Sequence, residues 1–290
     1  MAKPPRRGSG KPRRSTEGQR PRSPGADRLS VSGHGGQPVG RDRAQRTQGA
    51  PPRPSKPAAD TEPPRPPLPD DEEAQLPKGV IREIERALGK GTRSRDVALS
   101  LSIGAQALEE GRPDVAIEVL GWARHQAPRL ASIREAYGIA LYHEERWADA
   151  LSELQAYRRL TGRQDQNHVI ADCLRALGRG LEQVASAAEP LVGDAQAPED
   201  RRAEAAIVWA AALADGGDLG AGRAVLRRFL ERPRSGDAEH DLRARYLAAD
   251  LAERAGDDDD LQRQLELIAA VDPGFLDVAE RLEGLGYRRG

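Results

Sequence analysis

The stretch from Val97 to Gln164 nearly repeats itself when it is written as two rows of 34 residues, VALSLSIGAQALEEGRPDVAIEVLGWARHQAPRL and ASIREAYGIALYHEERWADALSELQAYRRLTGRQ. In register, Gly104 falls over Gly138, Ala116 over Ala150, Leu120 over Leu154 and Pro128 over Gly162, with Trp122 close to Tyr157. Two helical stripes per row, parted at Gly111 in the first, read as a pair of helices joined by a short turn, and neither helix can hide its apolar stripe alone. Ile103, Ala107, Leu120 and Ala123 in the first row, and Tyr137, Leu141, Leu154 and Tyr157 in the second, keep a helical i, i+3, i+4 rhythm. The pattern predicts that Gly104 faces Ala116, and Gly138 faces Ala150, where the two helices of each unit cross. Small side chains there let the axes approach near the short end of the usual range of roughly 8–10 Å.

Glycine and proline punctuate the units. Gly111, Gly217 and Gly256 are placed to end first helices in a left-handed cap, and Pro128 and Pro273 to end second helices. Row two departs from this, with Glu145 where the glycine would be and Gly162 where the proline would be. Ahead of the repeats, Val80, Ile81, Ile84 and Leu88 fall on one face of a short helix, 78–89, expected to cap the open end of an array. The run GKGTRSRD, 89–96, reads as a linker. Weaker units follow at 165–198, 199–237 and 238–273. In them Leu181, Val184, Ala188 and Leu191, then Ala203, Ile207, Ala210 and Leu213, then Leu261, Leu265 and Ile268 form stripes. A last helix, 275–285, covers the far end. The expected fold is all-α, a solenoid of stacked helix pairs with about twelve helices and no strand.

A small residue at place 8, Ala at place 20 and a breaker at place 32 of the period resemble the tetratricopeptide repeat (TPR) family, over the chain that follows the N-terminal arm. The resemblance implies a concave wall lined by the first helix of each unit, where a protein or peptide partner binds. On this chain it points to Leu101, Ala105, Leu108 and Glu109 in unit one, Glu135, Ile139, Tyr142 and His143 in unit two, and Gln166, Val169, Cys173 and Ala176 in unit three. Their mixed apolar and acidic character suits an apolar or basic peptide. Members of the family that bind chaperone tails clamp a terminal carboxylate with Lys and Asn. Here Leu101, Ala105, Ala136, Gln166 and Ile170 occupy the corresponding places, so that activity does not carry over.

Charge divides the chain unevenly. Residues 1–56 hold 14 Lys or Arg against 3 Asp or Glu, a net of +11, whereas the whole chain is −1, so that 57–290 carry −12. The first 69 residues also contain 15 of the 22 prolines and no aromatic residue, a composition that predicts disorder over 1–75. Within it, PPRPSKP and PPRPPLP favour polyproline II. A basic arm without interleaved aromatics would contact nucleic acid through phosphates alone, in a salt-sensitive and sequence-blind way; residues 1–60 are the candidate segment. The alternative is a solubilising tail, or an arm that folds back on the acidic repeats.

Cys173 is the single cysteine, which fits a reducing, cytoplasmic setting, and no run approaches the length needed to span a bilayer. Forty arginines against five lysines match the codon bias of a GC-rich genome and make a bacterial source the default. Asp257 to Asp260 lack the spacing of a calcium loop and read as a helix N-terminus. His125, His143, His168 and His240 are scattered, with no nucleophile motif beside them. No catalytic, cofactor-binding or metal-binding residue is expected. The sequence therefore predicts a non-enzymatic scaffold or adaptor for a protein partner, with a nucleic-acid- or ribosome-associated protein as the alternative; partner identity and oligomeric state are not legible.

Overall fold

The structure, a computed structural model, describes residues 63–232 and 238–289. The basic arm, 1–62, and residues 233–237 lie outside the described residues, and so does the expectation of disorder over that part of the arm. Among the described residues the fold is all-α, with twelve helices and no strand. These are α1 (Lys78–Leu88), α2 (Thr92–Glu109), α3 (Pro113–Gln126), α4 (Ala131–His143), α5 (Trp147–Thr161), α6 (Asn167–Ala176), α7 (Leu181–Gly193), α8 (Glu199–Asp215), α9 (Leu219–Leu230), α10 (Glu239–Ala255), α11 (Asp258–Ala269) and α12 (Val278–Arg289).

Each helix packs on the next, and α2, α4, α6, α8 and α10 also touch one another in sequence. The even-numbered helices therefore form one layer of an α-solenoid, and α3, α5, α7, α9 and α11 form the other. The turns explain the antiparallel pairing. Gly111, Gly178, Gly217 and Gly256 each adopt a positive φ directly after a first helix, and Glu145 does the same at φ 55° in unit two. A left-handed residue lets the chain reverse within a few residues.

In units one and two the glycine of the first helix meets a leucine of the second. A Cβ placed on Gly104 would lie 2.5 Å from Leu120 Cγ, and one on Gly138 would lie 2.8 Å from Leu154 Cδ2. The atoms that an added Cβ would meet first are thus those of the leucine one helical turn beyond Ala116 or Ala150. Those alanines are fully buried at the same interface. Side chains on a helix lean toward its N-terminus, so a leucine four residues on covers the spot that Cα spacing assigns to the alanine. Tyr157 and Trp122 are both buried, as the rhythm predicted.

Other differences are local. The segment 63–75, expected to be disordered, packs with Leu76 on α2, and Pro66 and Leu68 are buried. The linker is only 89–91, because Ser94 Oγ accepts from the Gly91 N–H (3.1 Å) and donates to the Gly91 carbonyl (2.9 Å), starting α2 at Thr92. Leu181, placed on a core stripe, is 39% exposed, since it is the first residue of α7 and overhangs the turn. α12 starts at Val278 rather than Phe275, which packs from the preceding turn.

The apolar interior falls into two clusters that meet at α10. Ala244, Ala248 and Leu251 face a core that runs from Leu68 through α9, while Leu242, Ala249 and Ala252 face Leu261, Leu265, Ile268, Val278 and Leu285. Ile84 of α1 is fully buried and closes the other end.

Candidate partner-binding face

Of the twelve positions that the groove reading rests on, seven are buried within the fold: Leu101, Leu108, Glu135, Ile139, Gln166, Val169 and Cys173. They cannot line an open surface. Their burial follows from the layer arrangement, in which α2, α4 and α6 pack on each other as well as on their partners. Ala105, Tyr142 and His143 are half-buried and Glu109 is exposed, as is Ala176.

Polar contacts tie successive first helices together. Gln166 Nε2 donates to Glu135 Oε1 at 2.7 Å, and Tyr142 donates its hydroxyl to Asp172 Oδ2 at 2.7 Å. Arg175 pairs with Asp172 at 3.0 Å and reaches Asp215 of α8 at 3.4 Å. Arg243 of α10 pairs with Glu204 of α8 at 2.7 Å. Burial pushes Glu135 and Glu204 above the usual carboxylate range, and burial together with the Asp172 charge pushes the Tyr142 phenol up. Glu135, Asp172, Glu204 and Asp215 thus already have guanidinium or amide partners, which a reading of composition could not reveal.

Where the first helices of units two and three end, these contacts surround an aromatic group. Tyr142 stacks edge-on with His143 (centroids 5.8 Å apart) and with Trp147 (5.2 Å). All three rings are half-buried. Large amphipathic rings held at fixed angles lose little entropy on contact, and Tyr, Trp and Arg dominate binding hot spots. The place of Trp147 at the start of α5, opposite the end of α4, brings it beside Tyr142.

Elsewhere the chemistry is structural. Burial, then the Asp172 charge, pushes the Cys173 thiol up to about 12, so it stays protonated and is a poor nucleophile. Burial pushes His168 down to about 4. Asp257 caps α11 through the Asp260 N–H at 3.1 Å, as its place in the sequence suggested. Arg223 of α9 spans Asp257 (2.5 Å) and Asp260 (2.9 Å) beside an open cleft of about 330 Å³ between α9, α10 and α11. Glu153, buried in α5, receives Arg124 of α3 at 3.2 Å and Arg134 of α4, locking units one and two together. Among the described residues no helix is long and apolar enough to cross a membrane.

Comparison with family models gives no match to this chain, and a search of curated proteins returns none.

Proposed function

We propose that this protein is a non-enzymatic scaffold of the tetratricopeptide type that binds a protein or peptide partner on the layer formed by α2, α4 and α6. The observation that carries this reading is the Tyr142, His143 and Trp147 cluster, half-exposed and bordered by the Asp172, Arg175 and Asp215 ion pairs. It combines an aromatic anchor with a polar rim, the anatomy of a compact protein interface. Ala105 and Glu109 extend the same layer toward α2. The 34-residue period and the positive-φ turns support the family assignment. The lone buried Cys173 supports a reducing, cytoplasmic setting.

The test is affinity purification of the full chain beside a variant lacking residues 1–60, each with and without nuclease, and beside His143→Ala and Trp147→Ala. The expected result is one protein partner that both chains retain at high salt and nuclease does not release, with retention falling at least about tenfold in the two substituted chains. A partner lost with residues 1–60 or released by nuclease would instead favour the second reading. That reading, a nucleic-acid- or ribosome-associated protein, rests on the net charge of +11 over residues 1–56.

A further inference from the structure

The segment 63–76 meets α2 through contacts of the kind that hold a peptide ligand. Arg65 Nε donates to Asp96 Oδ2 at 2.7 Å, and Asp96 is buried, with a side chain only 6% exposed. Pro66 and Leu68 are buried on either side of the exposed Pro67. Arg95 Nη2 lies within hydrogen-bond reach of three backbone acceptors, the carbonyls of Pro69 (3.1 Å), Asp70 and Glu72 (3.1 Å). Farther along, Ser102 Oγ accepts from the Gln75 N–H at 2.9 Å.

This arrangement matches the chemistry of the segment. A stretch in which five of the seven residues 63–69 are prolines has few N–H groups to satisfy but a full set of carbonyls, and Arg95 supplies donors to that chain's continuation. Proline-rich chain is also already restricted, so little conformational entropy is lost when it docks. The decisive group is Asp96. Its close cation comes from the segment and not from the stack, since Arg95 lies 3.9 Å away, and its Oδ1 has no hydrogen-bond partner. A buried carboxylate without a close, hydrogen-bonded cation is costly, and here that cation, Arg65, is delivered from outside the helix pairs. The arrangement Pro-Pro-Arg-Pro-x-x-Pro occurs at 51–57, with Lys56 at its sixth place, and at 63–69, with the apolar Leu68 there.

We propose that the face of α2 carrying Arg95, Asp96 and Ser102 is a recognition site for proline-rich peptides of the form Pro-Pro-Arg-Pro-x-x-Pro, with residues 63–69 as its resident occupant. A peptide of that form from another chain binds when it displaces the resident one. Asp96 selects the arginine, the sites under Pro66 and Leu68 select apolar residues at the fourth and sixth places, and Arg95 holds the backbone that follows. This site is independent of the Tyr142 cluster, and either can fail without the other.

The experiment measures fluorescence anisotropy of a labelled Pro-Pro-Arg-Pro-Pro-Leu-Pro peptide with the full chain and with the full chain carrying Arg65→Ala and Leu68→Ala. Because a tethered occupant competes at an effective concentration in the millimolar range, weakening it should tighten peptide binding at least about tenfold. Adding Asp96→Asn to that variant, or replacing the peptide's arginine by alanine, should undo the gain. Equal binding to both chains, no binding to either, or a gain that survives Asp96→Asn would overturn the proposal. Far-UV circular dichroism checks folding. If the double variant does not fold, Arg65→Ala alone, which keeps both apolar anchors, should still tighten binding about threefold, and no change there is equally decisive against the site.

Discussion

Units one and four solve the same packing problem from opposite sides. In unit one the inner helix α2 supplies the gap, at Gly104, and the outer helix α3 fills it with Leu120. In unit four the outer helix supplies it: a Cβ on Gly222 of α9 would lie 2.7 Å from the Ala210 carbonyl oxygen of α8 and 3.2 Å from Leu251 Cδ1 of α10. A side chain inserts into the first crossing, and backbone meets backbone in the second. α8 permits this because Ala203, Ala205, Ala206, Ala210, Ala212 and Ala214 are all buried along it. A stack of helix pairs thus demands close approach in each unit without prescribing which helix gives way.

The largest effect expected from this difference is at Gly222. Gly222→Ala forces a methyl against a carbonyl that only backbone movement can relieve, and should cost about 2–3 kcal/mol in urea unfolding, at the upper end of overpacking costs. Gly104→Ala meets a side chain that can rotate, and gains up to about 1 kcal/mol of helix propensity, so a net loss near 1 kcal/mol is expected. Equal losses at the two sites would erase the distinction between a filled crossing and a bare one.

Between the two units lies His168, whose folded-state value near 4 is below its unfolded value near 6.5. Its neutral form is favoured by folding, so stability is full above the unfolded value and declines as pH falls from 6.5 toward 4. After allowance for its partial exposure, the loss should be about 1–2 kcal/mol, and His168→Gln should flatten that part of a stability–pH curve. Glu135 and Glu204, raised by burial, work in the opposite sense, gaining stability as they protonate, which the same variant leaves in place.

The smallest effect compares units one and two. Glu145 holds a left-handed φ of 55° where Gly111 holds 68°. Glu145→Gly should raise stability by about 0.5–1 kcal/mol, and Gly111→Glu should lower it by a similar amount, both read from the thermal midpoint.

These contrasts also show what the amino-acid sequence could reveal. Units one and two were legible because their side chains do the same jobs at the same places, down to Glu145 taking up the turn that glycine takes elsewhere. Unit four was read weakly because its close approach uses Gly222 and a backbone carbonyl, and a carbonyl leaves no mark in a sequence. The reach of α2 back to Thr92 depended on Ser94, a cap inside a run that looked like linker. The docking of 63–76 was hidden because a proline-rich composition is compatible both with a free chain and with a bound ligand; only the pairing of Arg65 with a buried Asp96 separates the two. The groove residues suffered from a similar ambiguity. The family resemblance pointed to Leu101, Ile139 and Val169 on an open face, but contact between successive first helices buries them. What stayed accessible was at the helix ends, where Tyr142 meets Trp147 across a turn.

The account depends above all on leucine seated over glycine at the helix crossing, and a double-mutant cycle on Gly104 and Leu120 probes that contact directly. Unfolding free energies would be measured for the parent chain, Gly104→Ala, Leu120→Ala and the pair. With Leu120 present, Gly104→Ala should destabilise by about 1 kcal/mol. With Leu120 cut to alanine, the same change should stabilise by up to about 1 kcal/mol, because only the helix propensity gain remains. A Gly104→Ala effect of the same sign and size in both backgrounds would mean that the two residues do not touch, and the stack as described would be wrong.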